Sequence, residues 1–398
     1  MANISDQLAN IVTRHSVDLM AFENNIAKQT VSMLHNLAGD LGADLAKIDP
    51  TAPVRKRYKD ERVEALLKQT KETIDTYYSD ISRTTGKEIA SLVKVESKFA
   101  TASVNSVARA EIATVALSPE QLRAIATTGV IEGIQVADWW KKQSIDTQYK
   151  FRSQIQMGMA RGEPLQDLIR RVRGKETGKK IGYKDSHGRQ RFTHEFKGGV
   201  MDISTRNAEA LVRTQVQHVA NTARLDTLRA NNDVIKGIEW VSTLDKRTTP
   251  ICMALDGMQW DLNNKPIGHG VGFPGPTAHW RCRSTQIPVL KSWDELAKDE
   301  NRTLQKKIKE IPPGTRASMN GQVAATMNYE DWLQTQPKLI QKEILGAGKH
   351  RLWSEGKINV SQLIDNSARI LTVSELEKIS TLATSVGSDV AATTKAVS

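Results

Sequence analysis

Cysteine is almost missing from this 398-residue chain, in which Cys252 and Cys282 are the only two. That excludes a disulfide framework and leaves the pair as thiolate ligands, as a nucleophile beside a histidine, or as small buried residues. Aromatic residues are scarce at 5% and apolar residues reach only 39%. Together with a mean hydropathy of −0.43, this favours long solvated helices over one compact globule. No apolar run has the roughly 18 residues a membrane span needs. The opening MANISDQLANIVTRHSVD also lacks the basic-then-apolar order of a secretory signal. The expectation is an unexported protein without a membrane anchor. The length exceeds what one core usually supports, so two or three structural units are expected.

Positive charge is what the chain has in excess. A formal charge of +11 and a pI near 9.5 point to a polyanionic partner. Much of the surplus is local: from Arg170 to Lys197 ten basic residues stand against three acidic ones. Arg170, Arg171, Arg173, Lys179, Lys180, Arg189 and Arg191 are the candidate nucleic-acid or partner contacts. The segment's only aromatics are Tyr183, Phe192 and Phe196, fewer than a single-strand stacking platform uses. A solvated loop touching acidic protein surface is the plainer alternative.

Apolar periodicity lays out the chain. Leu8, Ile11, Val12, Leu19, Phe22, Ile26, Leu34 and Leu37 recur at helical spacing, with Ser5 or Asp6 as cap. Pro50 and Pro53 mark a break. A second helix is expected over 55–82, and a third from Thr85 toward Val115. Ser118-Pro119-Glu120-Gln121 carries a capping box with proline at the first helical position. Trp139 and Trp140, being adjacent, cannot share one helical face. A hairpin or loop is expected over 174–199, then a helix over 205–231. Short β-branched strands over 235–241 and 284–290 frame the segment between them. Beyond Leu290, Ser292–Glu295 forms a capping box, 311–321 reads as a linker, and helices are expected over 328–346 and 374–382, before a frayed tail.

Candidate chemistry is concentrated between Trp240 and Ser284. His279 and Cys282 lie three apart, a spacing that presents imidazole and thiolate to one ion, and Cys252 can join from a neighbouring loop. A fourth ligand is not evident; His269, Asp256, Asp245 or water are the candidates. Cysteine catalysis by Cys252 or Cys282 with His279 has the required residue types, although Arg281 and Arg283 on an extended strand point away from Cys282. Two buried free cysteines beside a backbone-bonded histidine is the structural alternative. Asp245 to Pro250 reads as a capped turn leading into a short helix over 252–255 that Gly257 stops. The rigid loop Gly272-Phe273-Pro274-Gly275-Pro276 then lays His279 and Cys282 back over it.

These residues resemble the Mu F-like family of phage minor head proteins, also called head morphogenesis proteins. The resemblance is carried by Arg213-Thr214 and Asn221, then Asp245, Arg247-Thr248, Cys252, Asp256-Gly257, Pro274, Pro276, His279 and Cys282-Arg283. It covers about 118–290 and, more loosely, the NYEDWLQTQ segment; 1–115 fall outside it. Ser284 stands where the family often has a further cysteine, and the insert 261–272 is longer than in the simplest members. The fold class expected is mainly α with a small α+β core. It comprises an elongated helical N-terminal region (1–117), a compact central Mu F-like domain with short strands (118–290, basic loop 170–199) and a helical C-terminal extension with a flexible tail (291–398).

The resemblance implies a low-copy virion component at the portal vertex, in the host cytoplasm during assembly. Its partners would be the portal protein, other capsid proteins and packaged double-stranded DNA. It implies no catalytic residue. Cys252, His279 and Cys282 are the candidate ligands of a structural zinc, and Arg213, Thr214, Asp245, Arg247, Thr248, Asp256, Gly257, Pro276 and Arg283 are the signature positions. The competing readings are a metal-dependent hydrolase or nuclease carried in the virion, and a stand-alone DNA-binding protein.

Overall fold

The computed structural model describes residues 4–47, 60–109, 111–184, 189–291 and 314–381. It is 61% helical with a few short strands, the mainly α arrangement with a small α+β core that the periodicities predict. No helix among the described residues is long and apolar enough to cross a membrane. The chain forms two compact units, one from the described parts of 18–95 and 118–223, the other from those of 1–17, 96–117 and 224–398.

Helices α1 (Ile4–Ala46), α2 (Asp60–Ala108) and α6 (Gly199–Ala230) each contribute to both units. The first unit adds α3 (Pro119–Thr127), α4 (Val136–Ala160) and α5 (Leu165–Arg173). The capping box is formed as the sequence predicts: Ser118 Oγ accepts from Gln121 N at 3.2 Å, and Gln121 Oε1 accepts from Ser118 N at 2.8 Å. In α5 the buried residues Leu165, Leu168, Ile169 and Val172 follow the i, i+3, i+4, i+7 pattern of one apolar stripe. A buried hydroxyl chain ties three helices, with Tyr78 and Thr147 paired at 2.9 Å and Thr147 and Ser204 at 2.8 Å. Trp140 is buried, whereas Trp139 is half-buried and donates to Ile131 O, consistent with neighbouring residues facing different ways on a helix.

One expectation fails in α2. The stretches read as two helices are continuous, because Thr85 Oγ1 donates to Ile81 O at 2.7 Å and so satisfies itself inside the helix instead of capping a new one. The helix also stops at Ala108, short of Val115. Asn105 Oδ1 accepts from Ile112 N and Ala113 N at 2.9 and 2.8 Å, satisfying the chain after the helix.

The basic segment is a hairpin, β3 (Lys175–Lys184) paired antiparallel with β4 (Gln190–Lys197), with Lys180 opposite His194 and Gly182 opposite Phe192. Thr193, on the alternate face, is buried and bonds Asn36 Oδ1 at 2.8 Å. Phe192 is 65% exposed. Thr193 and Phe196 are the buried anchors of β4, on opposite faces of the strand, and Arg191 and Phe192 are exposed.

The second unit is built on an antiparallel sheet in the order β7-β6-β5-β8: β5 (Ile235–Val241), β6 (Gln259–Asp261), β7 (Pro266–Ile267) and β8 (Thr285–Leu290). The two outer expectations, strands near 235–241 and 284–290, prove to be direct neighbours, Trp240 facing Gln286 and Val241 facing Thr285. Between them run α7 (Pro250–Leu255) and the turn-rich insert. Trp240 and Trp260 are fully buried and anchor the core together with Cys252, Met253, Leu255 and Cys282. Gly237 is required by close approach, since a Cβ there would stand 2.4 Å from Trp260 O.

C-terminal elements join the same core. They are α8 (Tyr329–Gln334), α9 (Lys338–Ser354, interrupted at Gly346 with φ 73°), a 3-10 turn at Val360–Leu363 and a helix over 373–381. Tyr329, Trp332, Leu333, Leu352, Leu363 and Leu376 are all buried in it. The stretch 314–321, read from sequence as part of a linker, is instead a hairpin of β9 (Thr315–Ser318) and β10 (Gly321–Ala324), and Ser318 bridges to Leu244. The buried Arg316 explains the difference, because it holds β9 against the signature loop. The capping box at 292–295 and the tail from 382 lie outside the described residues.

Candidate metal centre

Each side chain of the centre is delivered by a local rule the sequence contains. Thr249 caps α7, its Oγ1 accepting from Cys252 N, and Pro250 takes the first helical position. This puts Cys252 on the inward face of a helix only six residues long. Gly257, at φ 82°, then turns the chain so that its N–H donates to Trp240 O at 2.8 Å. Before β8, Cys282 N donates to His279 O at 3.2 Å, closing a turn that brings imidazole and thiol to one side.

Cys252 Sγ lies 3.1 Å from His279 Nε2 and 3.7 Å from Cys282 Sγ. Among the described residues these three form the one group of three or more His, Cys, Asp or Glu side chains with donor atoms mutually within 4.8 Å. A sulfur separation of 3.7 Å is far beyond a covalent S–S bond of about 2.05 Å. It matches the edge of about 3.8 Å that two Zn–S bonds of about 2.3 Å subtend at a tetrahedral angle.

His279 Nδ1 lies 2.8 Å from the Trp280 carbonyl, which can only accept. Nδ1 therefore carries a proton, and in the neutral ring Nε2 presents its lone pair to Cys252 and Thr249 Oγ1, the latter at 2.8 Å. A carbonyl fixing the remote nitrogen while the near one faces the centre is the arrangement of a ligating histidine.

The two thiols are differentiated. The hydrogen bond from Cys252 holds the Cys282 thiol well below its usual range, with His279 adding to it against the cost of burial. Burial, and then the neighbouring Cys282, push the Cys252 thiol well up. Burial alone would lower His279, but its bond to Cys282 and the Trp280 carbonyl raise it overall. The donor set fits zinc: two sulfurs and an imidazole nitrogen, converging and mostly buried. The residues that would hold the ion are Cys252, His279 and Cys282, and the ion would staple α7 to the turn that precedes β8.

Two carboxylates flank the centre, and each is already clamped. Arg283 forks onto Asp245 with Nη1–Oδ2 2.7 Å and Nη2–Oδ1 2.8 Å, and Asp245 Oδ1 also accepts from Arg247 N at 3.0 Å and Thr248 Oγ1 at 3.2 Å. Burial pushes the Asp245 carboxyl up, but the Arg283 guanidinium and the two turn donors more than offset it and hold the group below the usual carboxylate range. Asp256 Oδ1 accepts from Ser242 N at 2.6 Å and shares both oxygens with Arg316 at 3.0 and 3.1 Å. His269 uses both ring nitrogens, toward Gln259 O and Val271 N, and sits edge-on to Trp260. None of these three is directed at the cysteines.

The remaining predicted residues fall elsewhere. Arg213 and Thr214 are on α6 in the other unit, where Arg213 pairs with the buried Glu23 at 2.6 Å and with Glu209, and Thr214 Oγ1 donates to Ala210 O. Pro276 O accepts from Gln286 Nε2 at 3.3 Å.

In the basic segment, Arg170 pairs with Asp167, Arg171 forks onto Glu163, and Arg173 stacks over Phe196 at 4.9 Å. Lys179, Lys180, Arg189 and Arg191 lie exposed on the hairpin, Lys179 within 3.6 Å of Glu195. Arg316 and Tyr329, which donates to Asp245 O at 2.8 Å, complete the signature loop and were not singled out from sequence. Both lie 60 or more residues downstream of the aspartates they bond, Arg316 at the Asp256 carboxylate and Tyr329 at the Asp245 backbone carbonyl, and no local pattern announces such a pairing.

Nothing among curated proteins and nothing among solved structures matches the chain. Residues 149–287 match the model of the family described as Phage Mu protein F like protein, a span that contains α6, the clamped carboxylates and the whole Cys/His centre. Over this span the chain is similar to the Mu F-like phage protein family.

Proposed function

We propose that this chain is a phage head morphogenesis protein: a low-copy virion component of the portal vertex that assists head assembly and accompanies genome packaging or delivery. The observation that carries the reading is the family match over 149–287, a family of phage head proteins that is generally structural. The signature residues support it by what they do. Asp245, Asp256, Arg283 and Arg316 are spent on mutual clamps, the arrangement of a stapled scaffold whose charged groups are already paired. A zinc ion held by Cys252, His279 and Cys282 would complete that staple, contributing directly to folding.

The portal protein and neighbouring capsid proteins are the proposed partners. The exposed cations of the β3–β4 hairpin, Lys180, Arg189 and Arg191, support contact with packaged double-stranded DNA through phosphate neutralisation.

A metal-dependent hydrolase or nuclease is the second reading, favoured by the convergence of Cys252, His279 and Cys282 beside a cleft. His279→Ala separates the two. The structural reading expects the variant to lose thermal stability and incorporation into heads, with no hydrolytic activity to lose. Normal heads together with loss of a measurable nuclease activity would establish the enzyme instead.

A further inference from the structure

One exposed side chain of the β3–β4 hairpin is left unused by phosphate contact. The basic segment has three aromatics: Phe196 is buried beside His35 and beneath Arg173, Tyr183 is half-buried, and Phe192 is 65% exposed. A single exposed apolar residue is ordinary. This one stands in the stretch where ten basic residues face three acidic ones, with Gln190 and His194 as its neighbours along the same strand face.

The cross-strand register explains how the ring is held. Phe192 lies opposite Gly182, and a Cβ on that glycine would meet the ring at 3.2 Å (Cε1) and 3.6 Å (Cδ1). One edge of the ring thus leans over a position that has no side chain, while most of its surface faces water. Lys180, also exposed, is the diagonal neighbour on the same face, within reach for a long side chain. His194, opposite Lys180, is taken by Glu176 at 2.5 Å. An exposed aromatic ring beside an ammonium is a pair that holds one nucleotide: the base stacks on the ring and the phosphate meets the charge. Inside a closed duplex the base faces are already covered, and unstacking a step costs about what one aromatic contact returns. A lone ring gains nothing there, whereas a base already unpaired offers its face at no such cost.

We propose that Phe192 is a stacking site for a single unpaired base, with Lys180 on the adjoining phosphate, so that the hairpin prefers DNA carrying an unpaired nucleotide to the closed duplex. The proposal rests on the reading of the hairpin as a DNA contact and adds to it the form of DNA selected. The exposed cations supply an attraction common to both forms, and the ring supplies the choice. Covering Gly182 is the ring's structural use; an aliphatic side chain of similar size serves that purpose but stacks no base.

The test titrates the full-length protein, at one salt concentration, with two labelled duplexes of equal paired length, one blunt and one carrying a single unpaired 2-aminopurine at each end. Anisotropy and the 2-aminopurine emission are read. The expected result is about tenfold tighter binding of the second duplex, the worth of one stacked base, with a saturable change in emission. Phe192→Leu is expected to bind both duplexes alike, at the parent's affinity for the blunt one, and Phe192→Tyr to keep the preference. Circular dichroism and thermal melting verify the fold of each variant. Equal affinity of the parent for the two duplexes overturns the stacking site and leaves the duplex contact standing. A preference that survives Phe192→Leu places the unpaired base elsewhere and overturns the site as well. No salt-dependent binding of either duplex removes the DNA reading and this inference together.

Discussion

Arg316 reaches from β9 to chelate Asp256, Nη1–Oδ2 at 3.1 Å and Nη2–Oδ1 at 3.0 Å, and the two side chains are only 4% and 0% exposed. The same guanidinium donates to the Ser242 and Met327 carbonyls. One buried cation thus joins the end of β5, the Asp256-Gly257 turn and the C-terminal hairpin. Removing either partner leaves an uncompensated charge in the core, which costs about 3–5 kcal/mol. Arg316→Ala and Asp256→Ala are each expected to lower the unfolding free energy by about that much in urea titrations, and the double variant by clearly less than their sum. Additive losses would show that the two side chains are not coupled.

The Asp245 clamp gives the fold a pH dependence of defined sign. The folded carboxyl is held below its usual range, so the unfolded chain binds its proton first as pH falls from about 4. The stability it contributes is complete above that value and is lost as pH drops through the folded value. Asp245→Asn should therefore be less stable than the parent at neutral pH and converge with it in acid. Parallel thermal-melting curves across that range, with a constant offset, would contradict the clamp.

Trp260 is fully buried between β5 and the insert, with its indole N–H donating to Val271 O at 2.9 Å and Phe273 and His269 edge-on to its ring. Trp260→Ala removes a large buried aromatic and leaves the Val271 carbonyl unpaired. A loss of about 3–5 kcal/mol is expected, measured by denaturant unfolding, together with greater protease sensitivity of the insert 261–272.

Metal content separates a zinc staple from a pair of buried thiols. Elemental analysis should find about one zinc per chain, and chelation should lower the melting temperature. Free zinc at a thousandfold over its dissociation constant would stabilise the fold by about 4 kcal/mol. Cys282→Ser should lose both the metal and the response to chelator. A metal-free protein whose melting ignores chelator would leave Cys252 and Cys282 as core residues.

The exposed cations of the hairpin make a salt-dependent prediction. If Lys180, Arg189 and Arg191 each neutralise one phosphate of duplex DNA, replacing all three by alanine should flatten the dependence of log affinity on log salt by up to about 2.7, at about 0.9 per contact. Arg171 and Arg173 should matter through stability instead, because Arg171 holds Glu163 and Arg173 covers Phe196. Equal salt slopes for parent and triple variant would remove DNA from the hairpin's partners.

What the sequence made legible was local. The Ser118 capping box, the Thr249-Pro250 start of α7, the stop at Gly257 and the strands around the signature segment all follow from residues within a few positions of one another. The spacing of three between His279 and Cys282 was readable, whereas Cys252, 27 residues before His279, reaches them only through the fold. The long-range pairings were not. Arg316 lies 60 residues from Asp256, inside a stretch whose Pro312-Pro313-Gly314 reads as a linker, and nothing in its neighbourhood distinguishes a buried arginine from a solvated one. The single span of α2 was missed for a related reason, since Thr85 resembles a cap unless its bond to the preceding turn is seen. Charge count alone likewise could not separate Arg171 and Arg173, used for packing, from the exposed cations of the hairpin.

The account stands or falls on what the chain assembles with. Co-expression with the portal protein of the same phage, followed by purification through a tag on the portal and mass measurement of the intact complex, tests this most directly. The proposed function predicts that this chain co-purifies with the portal ring in a fixed, low stoichiometry that survives high salt. A portal ring that elutes without it, alongside free chain showing metal-dependent nuclease activity, would contradict the structural reading and establish the enzymatic one.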